Sequence, residues 1–155
     1  PGDFSLLEMQ MQWNPSNQMR VNFRLNQQNN RRPKDGTLVT SATVPRLKIE
    51  YQLNKSIFFR FVGQYNSSYR DSLRDSSSDG QPLYFKNNDG SFSRALERKS
   101  NSLQADFLFS YRPTPGTLVF LGYGSSLQEP ERYRFRNFER KSDGFFIKLS
   151  YLYRL

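Results

Sequence analysis

Seven stretches of this chain alternate apolar and polar residues at period two, and none of useful length repeats at the helical period. The cleanest is MRVNFRLN, where Met19, Val21, Phe23 and Leu25 oppose Arg20, Asn22, Arg24 and Asn26. Successive side chains of a strand point to opposite faces, so this pattern means a strand with one apolar and one polar face. LLEMQMQW sets Leu7, Met9, Met11 and Trp13 on one side, and PRLKIEYQL does the same with Leu47, Ile49, Tyr51 and Leu53. In SIFFRFVGQY the apolar side is Ile57, Phe59, Phe61 and Tyr65, and in SLQADFLFSYR it is Leu103, Ala105, Phe107, Phe109 and Tyr111. TLVFLGYG is ambiguous, since Val119, Leu121 and Tyr123 compete with Leu118 and Phe120. The last stretch runs from Phe145 to Leu155, with Phe145, Ile147, Leu149, Tyr151, Tyr153 and Leu155 opposing Phe146, Lys148, Ser150, Leu152 and Arg154.

The fold class follows: all-β, antiparallel and up-and-down. What separates a membrane barrel from a soluble sandwich is the length and arrangement of the pieces. The clean runs are close to the ~9–11 residues a tilted membrane strand needs and longer than the usual ~5–6. Tight turns rich in Asn, Pro, Ser and Gly (14–18, 54–55, 113–116) alternate with long polar segments near 27–42, 66–100 and 125–142. Long structureless loops are uncommon inside a compact domain, whereas outer-membrane barrels alternate short periplasmic turns with long outer loops. Tyr and Trp recur toward strand ends (Trp13, Tyr51, Tyr65, Tyr111, Tyr123, Tyr151, Tyr153), as an aromatic girdle would place them.

With the tight turns on the periplasmic side, both the first and the last strand run inward. Single-chain bacterial barrels have even strand numbers. An outward-running strand is therefore expected ahead of Leu6, and residues 1–155 read as the C-terminal portion of a longer barrel whose N-terminal part is missing. The opening Pro1-Gly2-Asp3 has neither a basic n-region nor an apolar h-region, which fits a cytoplasmic chain or a mature or truncated piece of an exported one.

Energetics assigns the faces. An Arg or Lys held at the bilayer midplane costs about 2–4 kcal/mol. Turning Arg20, Arg24, Lys48, Arg60 and Lys148 toward lipid would rival the stability of a domain, so they face the lumen or are lifted to the rim by the loops, and with Arg46 and Arg154 they bias any lumen toward anionic solutes. Phe58, Val62, Leu108, Phe120 and Phe146 contradict the pattern, which calls for either packing on that side or β-bulges.

Composition removes several chemistries. The chain has no His and no Cys, so the commonest general base, the commonest metal ligand and thiolate sites are absent together. Gly122-Tyr123-Gly124-Ser125-Ser126 superficially looks like a nucleophile elbow, but it sits in a strand with no His to serve it. Asp71, Asp75, Asp79 and Asp89 lie in the longest loop without the spacing of a calcium loop. The expectation is a non-enzymatic segment without metal or cofactor. The net charge of +9 points to anionic partners. In ERYRFRNFERK, Arg132, Arg134, Arg136, Arg140 and Lys141 interleave with Tyr133, Phe135 and Phe138. A nucleic-acid site would use those rings for stacking. On an outer loop the same cations would meet lipopolysaccharide phosphates, and that is the favoured reading; nucleic acid is not expected. The alternative from another class is a soluble basic β-sandwich binding nucleic acid or polysaccharide.

Two resemblances add to this. Ile147, Leu149, Tyr151, Tyr153 and Leu155 resemble the C-terminal signal that the barrel assembly machinery reads on outer-membrane substrates, although that signal usually ends in Phe. SYRPTPGTLVFLGYGSS followed by SDGFFIKLSYLYRL, within residues 98–155, is similar to the end of a family of bacterial outer-membrane barrel proteins. Members often pair an N-terminal carbohydrate-binding-like module with the barrel, and some are labelled membrane-associated hydrolases without an established activity. The resemblance implies a bacterial outer-membrane location, contact with membrane lipid and lipopolysaccharide, and assembly through the last strand.

Overall fold

A computed structural model describes residues 2–72, 74–75 and 80–152. Among the described residues nine strands occur in chain order: β1 (Asp3–Ser16), β2 (Met19–Arg31), β3 (Leu38–Gln52), β4 (Ile57–Arg70), β5 (Tyr84–Lys86), β6 (Phe92–Arg94), β7 (Arg98–Thr114), β8 (Thr117–Glu129) and β9 (Glu139–Tyr151). Seven of them form one antiparallel sheet in the order β1-β2-β3-β4-β7-β8-β9, and β5 pairs with β6 alone. Every neighbour in the main sheet is its neighbour in sequence except where the β5–β6 hairpin is looped out. The sheet is a meander, with β1 and β9 at its two edges.

The turns form where the sequence supplies local acceptors. Ser16 Oγ accepts from the backbone N–H of Gln18 and Met19 at 3.3 and 3.1 Å. Asn54 Oδ1 accepts from Ser56 and Ile57 at 2.8 and 2.9 Å, an Asx-type turn. The far ends depart from expectation. The polar stretches near 27–42, 66–100 and 125–142 are strand at both ends: β2 continues to Arg31, β4 to Arg70 and β8 to Glu129, while β3, β7 and β9 begin at Leu38, Arg98 and Glu139. Gln27, Asn29, Ser41 and Thr43 continue the face of Phe23 and Leu25 with polar residues, so the alternation disappears although the ladder continues.

Register sorts the side chains into rows. Trp13, Val21, Ile49, Phe61, Phe107, Tyr123 and Phe145 lie across the sheet on one face. Tyr51, Phe59, Phe109, Leu121 and Ile147 form the adjacent row, and Ile57, Tyr111, Val119 and Leu149 the next. Rings stack along these rows, with Phe59–Phe109 centroids 5.2 Å apart and Phe61–Phe107 centroids 4.8 Å apart. Leu103 to Tyr111 covers about 26 Å of β7 at ~3.3 Å per residue. At the ~35–45° tilt of membrane strands that projects to about 19–22 Å, close to the ~25 Å height of an apolar band. Tyr51, Tyr111 and Tyr151 mark its lower edge and Tyr65 its upper edge, while Trp13 and Tyr123 sit in mid-band rather than at a rim.

No second layer covers this face among the described residues. Phe107 is 51% exposed and Leu149 74%, and Tyr65 is the one large apolar side chain that is buried. The chain exposes 11759 Å², against about 8,100 Å² for a soluble monomer of its mass. A sandwich would require a partner sheet here. The β5–β6 hairpin, three residues a strand and fully exposed, does not supply one.

Candidate functional site

The opposite face carries the charge. Arg24 and Arg46 are direct cross-strand neighbours, and Glu50 lies between Arg20 and Arg60 in a single row. Lys48 pairs with Glu50 at 3.1 Å and Arg24 Nη2 donates to Gln10 at 3.3 Å. Arg20, Arg24, Arg46, Lys48 and Arg60 thus share a patch three strands wide with Glu50, while Asp106 lies one strand further on, opposite Val62. Like charges placed directly opposite oppose folding unless something neutralises them. Two shallow depressions open here, one lined by Arg46, Lys48, Arg60 and Asp106 and the other by Gln10, Asn22, Arg24, Arg46 and Lys48. The arrangement can hold an anion between β2, β3 and β4. Lys148 is on the same face but on β9, opposite Phe120 and three strands from the patch; Arg154 lies outside the described residues.

One of the apolar exceptions on this face, Phe146, packs against a strand glycine. The β4–β7 ladder runs unbroken from Ile57 to Arg70, so no bulge turns Phe58 or Val62 outward. Leu108, Gly122 and Phe146 share a row. A Cβ on Gly122 would come within 2.0 Å of Phe146 Cε1, so the ring lies across the glycine. An aromatic covering a strand glycine in this way restores the lost contact area. Gly124 similarly leaves room for Asp106 Oδ1, 2.7 Å from its missing Cβ. The Gly-Tyr-Gly-Ser-Ser segment therefore belongs to the middle of β8, where Ser125 Oγ donates to Asp143 Oδ1 at 2.6 Å.

The cations of 131–141 are not gathered into one site. Residues 130–138 fold back onto the apolar side just beyond the band, where Tyr133 and Phe135 stack on Tyr65 with centroids 5.0 and 5.6 Å away. Arg132 Nη2 donates to Thr43 Oγ1 at 2.7 Å. Arg134 pairs with Glu131, Arg140 with Asp143 and Lys141 with Glu139, at 2.6, 3.2 and 3.6 Å. Arg136 makes no ion pair among the described residues. Sequence reasoning missed the anchor of this loop. Glu129, 2% exposed, accepts from Tyr65 Oη at 2.6 Å and from the backbone N–H of Phe135. Tyr133 N–H in turn donates to Tyr65 Oη at 3.0 Å. Tyr133, Phe135 and Asn137 adopt left-handed backbone (φ 59, 52 and 56). For Tyr and Phe that conformation is costly and persists only where its surroundings fix it.

Where the β2–β3 and β4–β5 connections meet, Arg32 pairs with Asp71 at 2.7 Å and Arg74 joins at 3.5 Å. Burial pushes the Asp71 carboxyl up, but the hydrogen bonds from Arg32 and the Ser72 backbone and the charges of Arg32 and Arg74 together outweigh it, and the group stays below the usual carboxylate range. Asp79 lies outside the described residues, among which no cluster of three or more potential metal ligands occurs.

Ile147, Leu149 and Tyr151 occupy one exposed face of the edge strand β9, in register with Leu121, Val119 and Thr117; Tyr153 and Leu155 lie outside the described residues. Comparison with protein-family models, with curated proteins and with solved structures finds no match.

Proposed function

We propose that this chain forms part of the wall of an outer-membrane β-barrel. Its apolar face meets hydrocarbon, and its cationic face lines an interior favouring anionic solutes. The observation that carries this reading is the single-layer sheet, with an apolar band of membrane height on one side and Arg20, Arg24, Arg46, Lys48 and Arg60 on the other. Seven strands are fewer than the eight of the smallest barrels. In an antiparallel meander of seven, β1 and β9 run in the same direction. Closing the wall through antiparallel pairs then takes an odd number of further strands, which restores the even total of such barrels. On this reading the segment is non-enzymatic, and the last strand serves as the signal for the assembly machinery.

The detergent-extracted protein, run on a gel with and without boiling, tests the barrel; unchanged migration overturns it. In planar bilayers, Arg24→Glu combined with Arg46→Glu is expected to shift ion selectivity from anions toward cations. Unchanged selectivity removes the cationic face from the pore.

A further inference from the structure

A third depression opens at the loop end of the apolar face, one row beyond Tyr65. It has a volume of about 690 Å³ and lies between β3, β4, β7 and the start of the 130–138 loop. That volume falls within the range of small-ligand sites. Its chemistry is unlike theirs, because the floor is made of hydroxyls and amides. Ser41, Ser67 and Asn101 are buried there, each at most 6% exposed. Ser67 Oγ donates to Asn101 Oδ1 at 2.9 Å, and Asn101 Nδ2 reaches the Glu129 carbonyl only at 3.5 Å. The Ser41 hydroxyl makes no hydrogen bond among the described residues. Among the described residues no side-chain polar atom is buried without a partner, so the Ser41 hydroxyl opens onto the cleft, and with the Ser67–Asn101 pair it presents donors and acceptors to an occupant that is itself rich in hydroxyls.

The rim adds charge with donors to spare. Lys99 Nζ stands 5.8 Å from the Tyr69 ring centroid and is tied only to Glu97, an exposed pair of the kind worth little. Arg132 uses Nη2 toward Thr43 and Tyr133, leaving the other edge of its guanidinium. The nearby acids are already engaged, Asp71 by Arg32 and Arg74, and Glu131 by Arg134. The buried Tyr65–Glu129 anchor holds the wall that carries Arg132 in place.

We propose that this cleft binds a phosphorylated saccharide, with ligand hydroxyls on Ser41, Ser67 and Asn101 and phosphate between Lys99 and Arg132. The saccharide chemistry stands on the lining alone. Its source as the headgroup of an outer-leaflet glycolipid rests on the barrel reading above, which puts the cleft at headgroup level.

Titration calorimetry on the full chain in detergent micelles tests the site with three probes: phosphorylated core oligosaccharide released from lipopolysaccharide, the same oligosaccharide after phosphatase treatment, and intact lipopolysaccharide. Dephosphorylation, Lys99→Ala and Ser41→Ala are each expected to weaken binding about tenfold, the scale of one lost charge-assisted or buried hydrogen bond. Lys55→Ala, in the β3–β4 turn at the opposite end of the sheet, is expected to change nothing. Tighter binding of intact lipopolysaccharide marks the glycolipid as the source, and equal binding marks a free saccharide; either supports the site. No binding by any probe, or equal loss in Lys55→Ala, overturns it. Gel mobility of the same unboiled samples separates the two readings: a folded band without binding sinks the cleft alone, and binding without such a band sinks the barrel alone.

Discussion

Gly122 shows how a single residue can decide what a strand face tolerates. With the Phe146 ring occupying the space where its Cβ would stand, Gly122→Val forces the ring off the sheet and is expected to cost about 1–3 kcal/mol. Phe146→Ala in the same chain should recover most of that loss, measured by urea titration of the folded gel band. Equal, additive losses would show that the two side chains do not interact. The same pair explains why the sequence misled on this face. Phe146 reads as an apolar intruder among polar residues, and nothing local reveals that its partner is a glycine two dozen positions earlier. The 130–138 loop was illegible for a similar reason, since its anchor Tyr65 is 68 residues from Tyr133. Met19 to Leu25, by contrast, were readable from alternation alone, because each needs only to lie on one side of its own strand.

At the scale of elements, alternation located all seven long strands but not their outer ends. Period two survives only where one face is apolar. Above Tyr65 the rows pass through Ser67, Asn101, Thr43 and Gln27, which are polar although still paired. The connections that remain are fastened by charge. Arg32–Asp71 ties the β2–β3 connection to the start of the β4–β5 connection, and Asp71 N–H donates to the Val39 carbonyl at 2.8 Å. Because the folded carboxyl is held below its ordinary value, its contribution is present above about pH 4, the unfolded value, and is lost as pH falls through the folded one. The protection of amides in residues 32–37 and 71–72, taken relative to their intrinsic exchange rates, should therefore fall below that range and stay flat in Asp71→Asn, which should be less protected at neutral pH. A wild-type profile indifferent to pH would remove the clasp.

For the molecule as a whole, the question is what the exposed rings meet. If it is hydrocarbon, a cation in the middle of the band is expensive while one on the reverse face is not. Phe107→Arg is expected to cost about 2–4 kcal/mol in refolding from urea into phospholipid vesicles. Gln104→Arg, on the polar face of the same strand, should stay within about 0.5 kcal/mol. Similar costs for both would place Phe107 away from lipid.

The shared heading of β1 and β9 also limits what copies of this chain can build together. If the sheet is a barrel wall, rotating one copy about the barrel axis leaves its strands pointing as before, so β9 of one would meet β1 of the next along a parallel seam. Flipping a copy to make that seam antiparallel sends its cleft and its basic loop to the other end of the wall. A ring of identical wedges therefore trades either ladder geometry or sidedness, and only an unlike neighbour with an odd number of staves keeps both.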